Sequence, residues 1–352
     1  MVFEFVAALA LAQDGAASHA HKDLAACKKC SGPYQRAVAS VLERFPKADF
    51  PEKIIAGFLF LADGRHPAEL QKVIEMASRA KASAKSFNGG WYLGMAGLFL
   101  SECYRLQPTP EIKQALVELV ATAQTTQEPT GGWNHNLGFG KKYCADDLSI
   151  VTSMLYTTLL NMKTAGIDTP KGMIEKVNEN LTKLLRPTGL DYGTRDAWGE
   201  TSGSRVGMAS IGLHNAGMTS HEIYTTAVKA LPERLKRLDK GHGTGCIHLL
   251  SVTLACHRLR IYRALTDEWL DKLIAKQAPD GSLLMGDDGA GGGEMKLIGN
   301  NIGSTAAFAL FLLLQDPERL NPKVKGRPVA GGSPFSRSPK PDSPQETPSS
   351  SK

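Results

Sequence analysis

Apolar residues fall at Ile112, Ala115, Leu116, Leu119, Val120 and Ala123, the i, i+3, i+4, i+7 spacing of a helix that buries one face. Thr109 offers an N-cap hydroxyl, and Pro110 stands at the first helical position, where its missing N–H costs nothing. Thr169-Pro170 predicts a second such start, with Met173, Ile174, Val177, Leu181, Leu184 and Leu185 inward. A third helix is expected from near Thr266, burying Trp269, Leu270, Leu273 and Ile274. Between these lie segments that are apolar almost all round: Leu93 to Leu106, Leu148 to Met162, Cys246 to Leu259 and Ser304 to Leu314. A helix without a polar face must be covered on every side or turned toward a sheltered cavity. Strand signals are nearly absent, so the chain is expected to be all-α, with inner and outer helices alternating.

The segments also repeat. Ala56-Gly57-Phe58-Leu59-Phe60-Leu61 leads through an amphipathic helix to Asn88-Gly89-Gly90-Trp91, and Ala96-Gly97-Leu98-Phe99-Leu100 leads likewise to Gly131-Gly132-Trp133, at offsets of 40 and 42 residues. Weaker copies end at Thr188-Gly189-Leu190-Asp191-Tyr192-Gly193 and Pro279-Asp280-Gly281-Ser282-Leu283. About twelve helices in this alternation, or six hairpins, either close into an α/α toroid or stack as an open solenoid. No polar terminal repeat stands out, which favours closure into a toroid domain over residues 33–320.

Gln127-Glu128-Pro129-Thr130-Gly131-Gly132-Trp133 resembles the Gln-x-x-x-Gly-x-Trp repeat of squalene-hopene cyclases and related prenyltransferases. Gln277-Ala278-Pro279-Asp280-Gly281-Ser282-Leu283 is similar, with Leu in the Trp position. The resemblance is to the prenyltransferase/squalene-oxidase repeat superfamily and looks closest to its uncharacterised bacterial branch. It implies the α/α toroid of terpenoid cyclases and protein prenyltransferases. The Asp-x-Asp-Asp acid of the cyclases is missing, since Asp146-Asp147 and Asp287-Asp288 are adjacent pairs with the wrong spacing. The Asp-x-Cys zinc pair of protein prenyltransferases is met only in reverse, by Cys144-Ala145-Asp146, with His242 two hairpins later.

In such a ring, the loops that lead into the inner helices converge on one end of a central cavity. The richest are Gly131–Asp147, Leu190–Arg205, Lys240–His248 and Gly286–Gly303; the last holds seven glycines in eighteen residues. Candidate acid/base residues there are His242, Asp147 and His135. Candidate ligand contacts are Trp133, Tyr143, Asp191, Tyr192, Asp196, Trp198, Glu200, Arg205 and Asp287. Each has a structural alternative. His242 could be satisfied by carbonyls at a helix start, Trp133 and Trp198 could pack at helix ends, and the carboxylates could be solvated or paired with Arg205. Cys144, Asp146, His242, Cys246 and His248 lack the compact spacing of a strong metal site, so neither metal nor cofactor is specified.

The formal charge of +6 suggests nucleic acid at first, but residues 321–352 carry six Lys/Arg against two Asp/Glu, leaving the body at +2. No nucleic-acid partner is expected. Residues 327–352 contain six Pro and seven Ser in 26 positions, a composition that cannot offset its ordering entropy, so 321–352 is read as a disordered basic tail. Residues 1–12, MVFEFVAALALA, end in a small-x-small pattern that suggests a signal peptide and export to the periplasm or cell exterior. This run is too short to span a membrane. The segment 13–32 carries Cys27-Lys28-Lys29-Cys30, a local disulfide if the chain is exported and a reduced pair or shared metal site if it is not. Cys103 and Cys256 lie in apolar helices and read as buried thiols. The expected protein is a monomeric toroid whose central cavity takes an apolar, prenyl-like ligand or a glycan-like one. A non-catalytic, partner-binding scaffold and a zinc-dependent transferase are the alternatives.

Overall fold

The computed structural model describes residues 23–86, 88–137, 146–194, 202–236, 238, 245–285 and 300–321. The apolar run 1–12 and the Ser/Pro-rich segment 322–352 lie outside the described residues. Among the described residues there are twelve α-helices: α1 (Ser31–Arg44), α2 (Phe50–Asp63), α3 (Pro67–Ser78), α4 (Gly89–Leu106), α5 (Pro110–Thr125), α6 (Ser149–Thr164), α7 (Met173–Lys183), α8 (Gly203–Asn215), α9 (Glu222–Leu235), α10 (Gly245–Arg258), α11 (Tyr262–Lys276) and α12 (Asn300–Leu313). Two short strands, β1 (Leu185–Arg186) and β2 (Gly189–Leu190), pair antiparallel between α7 and α8.

The even-numbered helices form an inner ring. Each packs on the next, α2 on α4 and so on to α12, and α12 packs back on α2. The chain is therefore an all-α, closed α/α toroid of six hairpins. In α6, every residue from Ser149 to Met162 is buried, as a helix with no polar face requires. Outer helix α5 buries Ile112, Ala115, Leu116, Leu119, Val120 and Ala123 and no other residue, and Thr109 Oγ1 caps it by accepting from the Ile112 N–H at 3.3 Å. Neighbouring inner helices approach closely: a Cβ on Gly212 of α8 would lie 2.7 Å from Thr157 Cα of α6.

The Gln-x-x-x-Gly turns are one structure used twice. Gln127 donates from its side chain to the Gly131 carbonyl at 2.8 Å, and Gln277 to the Gly281 carbonyl at 3.0 Å. The Glu128 N–H donates to the Gly132 carbonyl as the Ala278 N–H donates to that of Ser282. The Trp133 N–H then reaches Thr152 Oγ1 on α6 at 3.1 Å, and the Leu283 N–H reaches Thr305 Oγ1 on α12 at 2.9 Å. Gly131 and Gly281 take φ of +94° and +82°, which L-residues with a Cβ resist. The turn at Gly131 lies against Lys176 of α7, and the turn at Gly281 lies against Arg36 of α1. Thus α1 stands to α11 as α7 stands to α5, and the outer layer closes by the rule that builds it. Arg36 seals the join by donating to Gln277 at 2.9 Å, and Arg44 pairs with Asp280 at 2.5 Å.

Three sequence expectations change. Asn88-Gly89-Gly90-Trp91 is not a copy of this turn, because it lacks the Gln and forms the N-cap and first turn of α4 itself. The helix expected from Pro170 starts at Met173, since Gly172 sits at φ +75° and the Met173 N–H closes a turn onto the Pro170 carbonyl at 3.2 Å. α11 begins at Tyr262, ahead of Thr266. Cys103 and Cys256 are fully buried, and no disulfide joins Cys27 and Cys30. Among the described residues no helix is long and apolar enough to cross a membrane.

Candidate functional site

Because each outer helix returns the chain, all six inner helices run in the same direction. The two ends of the ring therefore differ. At the C-terminal ends the connections are short, over 64–66, 107–109, 165–172, 216–221 and 259–261. At the N-terminal ends most are long, over 126–148, 184–202, 236–244 and 277–299, and in sequence these carry every candidate ligand-contact and acid/base residue except Arg205, which lies in the first turn of α8. This rim also collects the unsatisfied N–H groups and the partial positive charge of six helix N-termini.

His135 is buried on the α4 side of the rim. Its Nδ1 accepts the indole N–H of Trp91 at 2.6 Å, which leaves the ring proton on Nε2. Burial pushes the imidazole down to about 4, so the ring is neutral near pH 7. With its basic nitrogen held by Trp91, His135 is suited to donating a hydrogen bond rather than taking a proton. Close approach of α4 makes the arrangement: the Gly90 N–H donates to the His135 carbonyl at 2.9 Å, and a Cβ on Gly90 would lie 2.0 Å from the Asn134 carbonyl oxygen. At the N-cap of α4, Asn88 Oδ1 is buried without a partner among the described residues.

Asp147 is fully buried ahead of α6. Its carboxylate accepts from the Asn180 side chain at 2.8 Å and from both the N–H and the hydroxyl of Thr194 at 3.2 Å, tying together α6, α7 and the segment after β2. Trp133 is also fully buried and donates its indole N–H to the Ala123 carbonyl at 2.8 Å. Farther round the ring, Asp191 pairs with Arg186 at 2.6 Å, and its carbonyl accepts from the Ser149 hydroxyl. The Arg205 guanidinium lies over the Tyr192 ring, 4.9 Å from its centroid, and both residues are half-buried. The described candidates thus gather around α6: His135 on the α4 side, Asp191, Tyr192 and Arg205 on the α8 side, and Asp147 between. Tyr143, Asp196, Trp198, Glu200, His242 and Asp287 lie outside the described residues, as do Cys144 and Glu294. Among the described residues no group of three or more His, Cys, Asp or Glu could hold a metal ion.

Three rim residues were not singled out from sequence: Trp91, Arg186 and Glu52. Glu52 forms a capping box with Asp49, each carboxylate accepting the other's backbone N–H. It also takes backbone N–H groups of Ile302 and Gly303, stitching α12 to α2 where the ring closes. Burial pushes its carboxyl up to about 7 despite those donors. The spacing Asp49-x-x-Glu52 is a readable cap signal, whereas the contact with α12 is a tertiary event that no local pattern announces.

The model of the DUF6288 family, a domain of unknown function, matches residues 34–285. The chain belongs to this family. The DUF6288 match runs from α1 through the Gln277 turn, so the closing helix α12 lies beyond it. No curated protein matches the chain. Among solved structures, a family 105 glycoside hydrolase of C. acetobutylicum ATCC 824 is similar at 12% identity and a TM-score of 0.48, over 80% of this chain and 99% of that one. A variant of the type II terpene cyclase MstE from Scytonema, in complex with geranylgeranyl dihydroxybenzoate, is similar at 12% identity and a TM-score of 0.33, over 82% of this chain and 97% of that one.

Proposed function

We propose that this DUF6288 toroid binds a polar, glycan-like ligand at the N-terminal rim of its inner ring, with His135 as a fixed hydrogen-bond donor. The observation that carries the reading is the Trp91–His135 hydrogen bond at 2.6 Å, which holds a neutral imidazole in one tautomer. A neutral N–H donor on the α4 side of the rim, with the amide of Asn88 at the start of α4 and the Arg205–Tyr192 stack on the α8 side, suits hydroxyl-rich molecules better than a prenyl chain, which has no polar atoms to pair. The paired Gln-x-x-x-Gly turns support kinship with the squalene-hopene-cyclase type of repeat, and the polar rim argues for a different ligand on that frame.

A scaffold without catalysis is the second reading. It is favoured by Trp133 and Asp147, whose polar atoms are spent on the chain's own turns. Thermal unfolding of the full chain with xylo-, cello- and galacturono-oligosaccharides, and separately with farnesol, tests the proposal. One oligosaccharide class is expected to raise Tm in a saturable way in the wild type and not in His135→Phe. Stabilisation by farnesol, or by neither class, would overturn it.

A further inference from the structure

The C-terminal rim of the ring, opposite the site above, carries a second and differently charged cluster. Glu102 of α4 is buried, and one of its oxygens accepts from Arg105 at 2.8 Å and from Arg258 of α10 at 2.7 Å. Its other oxygen accepts from Asn215 of α8 at 2.9 Å and Asn161 of α6 at 3.2 Å. The Leu320 carbonyl ties the same two arginines, at 2.7 and 2.9 Å. A cavity of about 340 Å³ opens against this network, lined by Arg105, His214, Asn215, His257, Arg258 and Arg260 together with residues of the C-terminal segment. Three guanidinium groups thus face one carboxylate, which lies behind them. The Arg260 guanidinium has no hydrogen-bond or ion-pair partner among the described residues, and neither does Nη1 of Arg105.

The backbone supplies an independent sign. The described non-glycine residues with left-handed φ are Arg260 (+59°) and Leu320 (+54°), and both belong to this cluster. Helix α6 ends on Gly166 with the Ile167 N–H bonded to the Met162 carbonyl, and α8 ends on Gly217 with the Met218 N–H bonded to the Leu213 carbonyl. At α10 the same closure runs from the Ile261 N–H to the Cys256 carbonyl, yet the left-handed position holds Arg260. Inner helix α2 also ends on a left-handed glycine, Gly64 at φ +74°, so among these inner helices α10 alone accepts a steric cost at that position, one that places an exposed guanidinium at the mouth of the cavity. Structural capping of a helix C-terminus explains a cation near that end but not one in a glycine position.

The geometry points to an anion-binding site at this rim for a small phosphate monoester, its phosphate forked by Arg260 and Arg105 and its polar remainder set against Asn215 and His214. Two unbalanced positive charges match a dianion, and the cavity is larger than a bare phosphate needs. Burial and the three arginines push His214 down to about 4, so it remains a neutral partner near pH 7.

Calorimetric titration of the full chain at low ionic strength with ribose 5-phosphate, succinate and ribose tests this. Ribose 5-phosphate is expected to bind saturably at one site, at least tenfold tighter than succinate, with no binding of ribose. Arg260→Gly is expected to weaken binding at least tenfold while unfolding at a temperature no lower than that of the wild type, because glycine fits the left-handed backbone. Absence of saturable phosphate-ester binding to the wild type, or equal affinity in Arg260→Gly, would overturn the site. Tighter binding of succinate would overturn its phosphate character.

Discussion

The Trp91 indole and the His135 imidazole, 44 positions apart in sequence, meet through one hydrogen bond of 2.6 Å that fixes which ring nitrogen carries the proton. Nitrogen-detected NMR should find His135 as the Nε2–H tautomer and unprotonated down to roughly pH 5, in keeping with a pKa held near 4 by burial. In Trp91→Phe the Nδ1 acceptor loses its donor. The tautomer signal should become mixed, and stability should fall by about 1–3 kcal/mol, the usual cost of orphaning a buried polar atom.

Gly281 and Gly166 both have positive φ, +82° and +71°, but a Cβ on Gly281 would lie 2.2 Å from the Arg36 carbonyl oxygen whereas one on Gly166 meets nothing within 4 Å. Denaturant unfolding should separate the two costs. Gly166→Ala should lose only the backbone preference, about 1 kcal/mol, and Gly281→Ala clearly more because the turn must also part from α1. Equal losses would mean that the turn's seat on α1 adds nothing to ring closure.

Glu102 is held near 2 chiefly by Arg105 and Arg258, against the burial that opposes ionisation. Glu102→Gln removes the charge while both arginines stay, one of them buried. Breaking such a pair costs about 3–5 kcal/mol, so the variant should unfold at markedly lower denaturant than the wild type.

The pH profile follows from groups shifted in opposite directions. His135 and His214 have folded pKa values near 4 against an ordinary 6.5, so the unfolded chain binds more protons between those limits and stability falls as pH drops through that window. Glu52, raised from 4.5 to about 7, does the reverse: its contribution is present below 4.5 and is lost as pH rises through 7. Glu52→Gln keeps an acceptor for the N–H groups at the ring junction without a buried charge. Its Tm should exceed that of the wild type by a margin that grows from pH 5 to pH 8, whereas His135→Gln should lose less stability, relative to wild type, at pH 5 than at pH 7.

The architecture was legible because it rests on local pattern. The face of α5 and the all-round apolarity of α6 state directly which helix is outer and which inner. The Gln127 and Gln277 turns were readable because side-chain and backbone bonds within seven residues define them. Gly89-Gly90-Trp91 misled for a related reason, since two glycines and a tryptophan without the glutamine do not specify the turn. Much of the chemistry was not legible. The Trp91 partner of His135 and the Arg258, Asn215 and Asn161 partners of Glu102 come from other hairpins, and the left-handed backbone of Arg260 stands out only against the glycines that end other inner helices.

The most direct test of the proposed function is where a saccharide sits. A crystal structure of the full chain with whichever xylo-, cello- or galacturono-oligosaccharide most stabilises it is expected to place the sugar at the N-terminal rim, with a hydroxyl within hydrogen-bonding reach of His135 Nε2. Sugar bound only at the C-terminal rim among Arg105, Arg258 and Arg260, or on the outer helices, would contradict the account.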